Sequence, residues 1–245
     1  MKAFQKFQAR GVERVKRRAI RALHQTPRGE ALLLQIYLWA EEGAESEALG
    51  ELRGEDPAWL RKQVESHLAD ERKHAGWLRE RLAEIGMPVS SEQAQIDRLS
   101  RTKLDRLRRL CLGRAPRFRQ GLRVPTMAVA YRMEAMGVRV MERHASELRA
   151  MESVRHADAY RPTRELLERI LKDERCHVAG CKGALAKLTT AEEQAELEQL
   201  LEEIDKIERA FGLTGAMGLW LAGQALKLES LALHRLFDEG VEVQS

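Results

Sequence analysis

The chain has 245 residues, 44% of them hydrophobic and 5% aromatic, and its 42 Lys and Arg against 38 Asp and Glu leave a formal net charge of +4. That length and apolar content bury a sizeable core in one large domain or a domain with an appendage, and exclude a chain that is disordered throughout. Only six prolines, an abundance of Ala, Leu, Glu, Arg and Lys, and no convincing strand run point to an almost entirely helical protein.

A basic amphipathic helix is expected from about Lys2 to His24, with Phe4, Phe7, Val12, Val15, Ala19 and Leu23 available for an apolar stripe. Thr26-Pro27 reads as a cap with proline in the first turn of the next helix, about Glu30 to Leu52. Gly54 and Asp56-Pro57 then lead into a helix from about Ala58 to Ile85, capped by Asp56 and started by Pro57. Gly86-Met87-Pro88 ends it. The long crossover that follows is expected to hold a basic helix, about Ser91 to Leu112, and an irregular stretch with Gly113, Pro116 and Gly121. Helices follow at about Thr126 to Ser153 and about Thr163 to Leu188. Thr190 and Glu193 form a capping box for a polar acidic helix to about Ala210, and an apolar helix from about Thr214 to Phe237 ends the chain. Two short links and one long crossover make the connectivity of a ferritin-like four-helix bundle. The expected organisation is a basic N-terminal helix over 1–25, the bundle over 26–189, and a C-terminal helical extension over 190–245 packed on the bundle.

Two of these helices carry the same pentapeptide pattern, Asp70-Glu71-Arg72-Lys73-His74 and Asp173-Glu174-Arg175-Cys176-His177. Glu and His three apart share one helix face, so each copy can offer a carboxylate oxygen and an imidazole nitrogen to a metal ion. In a chain with 30 Glu and seven His, a bare Glu-x-x-His is weak. The weight rests on the shared Asp and Arg, and on both copies lying on apolar seams. Val64, Leu68, Glu71, His74 or Ala75, Leu78 and Leu82 recur at three and four in the first. Leu167, Ile170 or Leu171, Glu174, His177 or Val178, Cys181 and Leu185 do so in the second. Side chains of this kind aimed into a core need ionised partners or a metal. On the helix after the crossover, Met127, Tyr131, Glu134, Val138, Met141, Ala145 and Leu148 make the seam, so Glu134 is the inward carboxylate and Glu142 the fallback. On the helix before the first motif Glu41 is chosen, with Glu42 and Glu45 as alternatives.

The series Glu41, Glu71-Arg72-Lys73-His74, Glu134, Glu174-Arg175-Cys176-His177 resembles the ligand pattern of the ferritin-like di-iron carboxylate superfamily, over about Glu30 to Leu188. Ala40-Glu41-Glu42-Gly43-Ala44 is also similar to a segment of the demethoxyubiquinone hydroxylases, although the stretch from Glu134 to Glu174 is longer than expected there. The resemblance implies two metal ions, with Glu71 and Glu174 bridging or flanking them, His74 and His177 binding one each, and Glu41 and Glu134 terminal. It implies that Asp70 and Asp173 accept the outer N–H of a ligand histidine. Four carboxylates and two imidazoles suit two Fe ions, with Mn or a mixed Fe/Mn pair as the alternative. The function implied is activation of dioxygen to oxidise or hydroxylate an organic substrate, with an external electron donor for a hydroxylase. The alternatives are a ferroxidase or iron-handling protein, and a non-enzymatic helical interaction module.

The basic runs Lys2 to Arg21 and Arg98 to Arg123 could meet RNA or an anionic membrane surface, or be solvated helix faces. No aromatic platform is interleaved with them. The apolar Phe211 to Leu226 segment suits a membrane surface or a homodimer interface. Three cysteines that form no zinc-like pair, and an N-terminus without signal-peptide character, lead to the expectation of a cytoplasmic protein, with a peripheral position at the inner face of the membrane as the alternative.

Overall fold

A computed structural model describes the backbone of residues 2–43, 57–87, 94–155 and 158–241, and the side chains of residues 11–43, 57–87, 100–154 and 158–230. All the regular structure among them is helical: α1 (Lys2–Leu23), α2 (Pro27–Gly43), α3 (Ala58–Glu84), α4 (Ala94–Arg114), α5 (Arg123–Arg155), α6 (Arg161–Leu188) and α7 (Gln194–Val241), with short 3-10 turns at Ala115–Arg117 and Asp158–Tyr160.

Local chemistry explains most boundaries. Thr26 caps α2, its Oγ1 accepting the Gly29 N–H at 3.1 Å, and Pro27 opens the helix where no backbone donor is needed. Gly29 allows α1 and α2 to meet at this turn, because a Cβ there would lie 2.1 Å from the Leu23 carbonyl oxygen. Gly29→Ala is therefore expected to destabilise the protein by about 1–3 kcal/mol, read as a fall in Tm of several degrees. Gly86 closes α3 at φ 70°, with Met87 N–H bonded to the Leu82 carbonyl at 3.0 Å. Pro57 is the N-cap of α3 rather than its first residue. Pro125 falls inside the first turn of α5, which begins three residues before Thr126. The continuation of α2 to Leu52, the cap at Asp56 and the helix start at Ser91 lie outside the described residues, as does Glu45.

The expected break near residue 212 is absent. A single helix of 48 residues, about 70 Å long, replaces the acidic and apolar helices read separately. Thr214 Oγ1 bonds back to the Ala210 carbonyl at 3.2 Å, so this residue continues a helix instead of capping a new one. Glu193 does accept the Thr190 N–H at 2.9 Å, one arm of the capping box.

Ion pairs fix the helix directions. Arg149 with Glu168, Arg164 with Glu152 and Arg175 with Glu142 run α5 antiparallel to α6. Lys16 beside Gly212, and Ala22 beside Gly223, run α1 parallel to the second half of α7. Much of the basic charge is answered inside the chain: Lys103 and Arg114 of α4 pair with Glu208, Glu196 and Glu203 of α7, while Arg17 and Arg21 meet the buried Glu147.

The apolar interior is divided in two along the helices. One cluster takes Leu60 to Leu68 of α3, Val124 to Ala130 of α5 and Cys181 to Leu188 of α6, closed by Leu107 and Leu200. The other takes Leu34 and Leu38 of α2, Ala75 to Leu82 of α3, Met141 to Leu148 of α5 and Leu166 to Leu171 of α6. The residues between these clusters, on all four helices, are the acidic and histidine positions. Several exposed apolar side chains, Leu213, Met217, Leu221 and Leu228, lie on α7, yet no helix among the described residues is long and apolar enough to cross a membrane.

Candidate metal centre

Seven side chains fill the gap between the two apolar clusters: Glu41 of α2, His67, Glu71 and His74 of α3, Glu134 of α5, and Glu174 and His177 of α6. They form two groups of four, one of Glu41, Glu71, His74 and Glu174 and the other of His67, Glu71, Glu134 and His177, with the donor atoms of each group within 4.8 Å of one another. Glu71 belongs to both. Glu174 also reaches both, its Oε1 lying 3.3 Å from His74 Nδ1 and 3.7 Å from His177 Nδ1. All six side chains singled out in the sequence are thus brought together.

The alternatives go elsewhere. Glu42 is exposed and paired with Arg79 at 2.5 Å, and Glu142 is paired with Arg175 at 2.8 Å. His67 was not anticipated, although it stands one turn before Glu71 on the same face of α3. Its Nε2 lies 3.1 Å from Glu71 and 3.3 Å from Glu134, and its ring stacks on His177 with centroids 3.8 Å apart.

The outer edges of His74 and His177 are held crosswise. His74 Nε2 lies 3.2 Å from Asp173 of the opposite helix, and His177 Nε2 lies 3.4 Å from Asp70. Lys73 ties the two aspartates together, with Nζ 2.7 Å from Asp70 and 2.8 Å from Asp173. Each Asp thus serves the motif of the other helix, and both imidazoles present Nδ1 inward. Asp173→Asn is expected to weaken divalent-ion binding at the His74 group by about 10–100-fold and to spare the His177 group, with Asp70→Asn doing the reverse. Titration with Co(II), read by its visible bands, checks this; equal weakening of both steps by either variant would contradict it.

Electrostatics identify what the cluster lacks. Burial lifts Glu174 to about 7, and burial together with Glu71 lifts Glu41 well above the carboxylate range. Glu71 runs the other way, because its burial is outweighed by the neighbouring Glu41, His177 and His67, which favour its charged form. Burial alone would lower the histidines. Glu174 and Glu41 nevertheless raise His74 to about 10, Glu71 raises His177, and Cys181, Glu134 and Glu71 raise His67. Protons here neutralise a concentration of negative charge that two divalent ions would neutralise equally well.

The pairing remains incomplete. His67 Nε2, Glu71 Oε1, Glu174 Oε1 and His177 Nδ1 are buried without a hydrogen bond, although each faces the others. Unpaired donors of alternating sign converging on one space, backed by oriented imidazoles, fit metal ligation. The donor set of four carboxylates and three imidazoles, without thiolate, suits Fe or Mn. Comparison with known families, characterised proteins and solved structures returns no match for this chain.

Proposed function

We propose that the chain is a ferritin-like dinuclear-metal oxidoreductase, using two iron ions to activate dioxygen against an organic substrate. The observation that carries this reading is the pair of four-residue groups sharing Glu71, with unpaired donor atoms aimed between them. Glu41, His74 and the shared carboxylates would hold one ion, and His67, Glu134, His177 and the same shared carboxylates would hold the other. When bound, such ions supply the redox chemistry, each passing between the divalent and trivalent states so that two electrons reach dioxygen.

The chain's own residues supply the rest. Glu71 and Glu174 lie where a carboxylate can reach both ions. Asp70 and Asp173 fix the ring orientation of His177 and His74 and increase their basicity. The apolar layers on either side, with Leu68 and Leu78 essentially inaccessible, keep water from the centre and strengthen every charge interaction within it.

The test is anaerobic loading with Fe(II), followed by oxygen uptake with and without an organic reductant. Two irons per chain and one dioxygen consumed per pair support the reading. Continued uptake of iron beyond two, with assembly into a large shell, would move the protein to iron handling. A folded chain that retains no metal would overturn the oxidoreductase reading.

A further inference from the structure

The second half of α7 carries an apolar stripe open to solvent. Leu213, Met217, Trp220, Leu221 and Leu228 are 37–67% exposed. Their spacings of three, four and seven residues put them on one face of the helix, and the 16 residues from Phe211 to Leu226 include no Asp, Glu, Lys or Arg. The stripe is not the face that α7 uses inside the molecule. Ala216 and Gly223, which point elsewhere, are buried, and Gly223 lies close against Ala22 of α1. A single exposed leucine needs no explanation, whereas five large apolar side chains on one face mark an interaction surface.

Cations bracket this stripe. Lys206 and Arg209 stand at one end and Lys227 at the other, all exposed. Arg209 and Lys227 are 18 residues apart, which is about five full turns, so they project along one line of the helix roughly 27 Å apart. Trp220 lies between them, close to that line. The neighbouring helix adds to the same side. Arg14 and Arg18 are exposed one turn apart on α1, and because α1 runs parallel to α7 with Ala22 on Gly223, both arginines face the way the stripe faces. Acidic groups lie elsewhere. Glu229 projects from another face of α7 and holds Arg28 at 2.8 Å, Glu208 is buried against Lys103, and the exposed Glu202 stands a turn beyond Lys206.

We propose that this face of α7 and α1 docks on an anionic lipid bilayer, with α7 lying along the plane of the interface. The charge pattern selects this occupant over a second copy of the chain. A copy laid antiparallel across the stripe would set Arg209 against the partner's Lys227 at each end, and a copy laid parallel would set each cation against its own counterpart. Like charges would meet in either arrangement. An anionic bilayer meets the same cations with opposite charge, while the five apolar side chains enter the boundary between headgroups and acyl chains. Trp220 suits that boundary, having a large apolar ring and one N–H donor. The long stems of Lys206, Arg209 and Lys227 lie along apolar surface and carry their charges out to the lipid phosphates. No helix among the described residues is long and apolar enough to cross a membrane, so the contact is along the surface. It is made by residues outside the metal centre and does not require a bound ion.

The test is flotation of the full chain with vesicles of phosphatidylcholine alone and of equal parts phosphatidylcholine and phosphatidylglycerol. Binding to the anionic vesicles only, weakened by added salt, is expected. Lys206→Gln, Arg209→Gln and Lys227→Gln together should weaken it about a hundredfold, at roughly fivefold per cation. Met217→Glu combined with Leu221→Glu should weaken it about tenfold or more. All five positions are exposed, so these chains keep their fold, which circular dichroism verifies. Lipids brominated on the acyl chains should quench part of the tryptophan fluorescence of the native chain, and that part should be missing in Trp220→Phe. Absence of flotation, equal binding to both vesicle types, or quenching unchanged in Trp220→Phe would overturn the proposal. So would a dimer in sedimentation equilibrium that Met217→Glu with Leu221→Glu dissociates, because a second copy would then cover the stripe.

Discussion

Glu71→Ala is expected to abolish binding of both metal ions, whereas Glu41→Ala and Glu134→Ala should each leave one ion bound. The asymmetry follows from membership: Glu71 belongs to both groups, Glu41 only to the one with His74, and Glu134 only to the one with His67 and His177. Loss of a residue that merely orients a ligand costs about 10–100-fold in affinity, so loss of a ligand shared by two ions should exceed that at each. Removing the Glu71 carboxylate also leaves His67 and His177 without their nearest counter-charge, at 3.1 and 3.2 Å. Glu71→Gln keeps the side-chain volume and separates lost ligation from lost packing. Elemental analysis after anaerobic dialysis against Fe(II), with circular dichroism to verify folding, gives the result. One ion retained in both Glu71 variants, or both lost in Glu41→Ala, would show that the sharing has been assigned to the wrong carboxylate.

The acidic and histidine positions were legible because helical period and apolar seam specify a face. Glu71, His74, Glu174 and His177 recur in phase with leucines that turn out to be inaccessible, such as Leu68, Leu78 and Leu167. Glu41 could be separated from Glu42 only by that phase, and Glu42 indeed points outward to Arg79. His67 is hidden by its neighbour Leu68, which supplies the apolar position of that turn, although His-x-x-x-Glu-x-x-His places three side chains able to ligate on one face. The crosswise pairing of Asp70 with His177 and Asp173 with His74 depends on which helices face each other, and no spacing within one helix contains that. The continuity of α7 was hidden for a related reason. Gly212, Thr214 and Gly215 favour a break locally, but packing along α1 supports the helix through them, with Gly223 close against Ala22. The hydrogen bond between Tyr37 and a histidine 107 residues away is visible only in the folded chain.

Loading two divalent ions near pH 7 should release roughly four protons and stabilise the protein more at pH 8 than at pH 6. The metal-free centre holds four carboxylates and three histidines. His67, His74 and His177 are all raised above 6.5, and Glu41 and Glu174 are raised above 4.5. Three imidazolium charges and about one carboxyl proton balance the carboxylates there, and two divalent ions replace them. The sign is the same for every raised group. Between 4.5 and about 7 folding binds a proton at Glu174, so metal-free stability falls as pH rises through that range. The histidine contribution is complete below 6.5 and is lost as pH rises through about 10 at His74. Ion binding requires the deprotonated ligands, so affinity rises with pH by about a factor of ten per unit for each proton displaced. At free ion near a hundred times Kd, binding contributes about 2.7 kcal/mol, which for a chain of this size raises Tm by roughly 5–10 °C. Calorimetry in two buffers of different ionisation enthalpy counts the protons, and thermal melts at pH 6 and pH 8, with and without Fe(II) under anaerobic conditions, give the stability change. A metal-dependent rise in Tm that is equal at both pH values, with no protons released, would mean that ions bind away from these seven side chains.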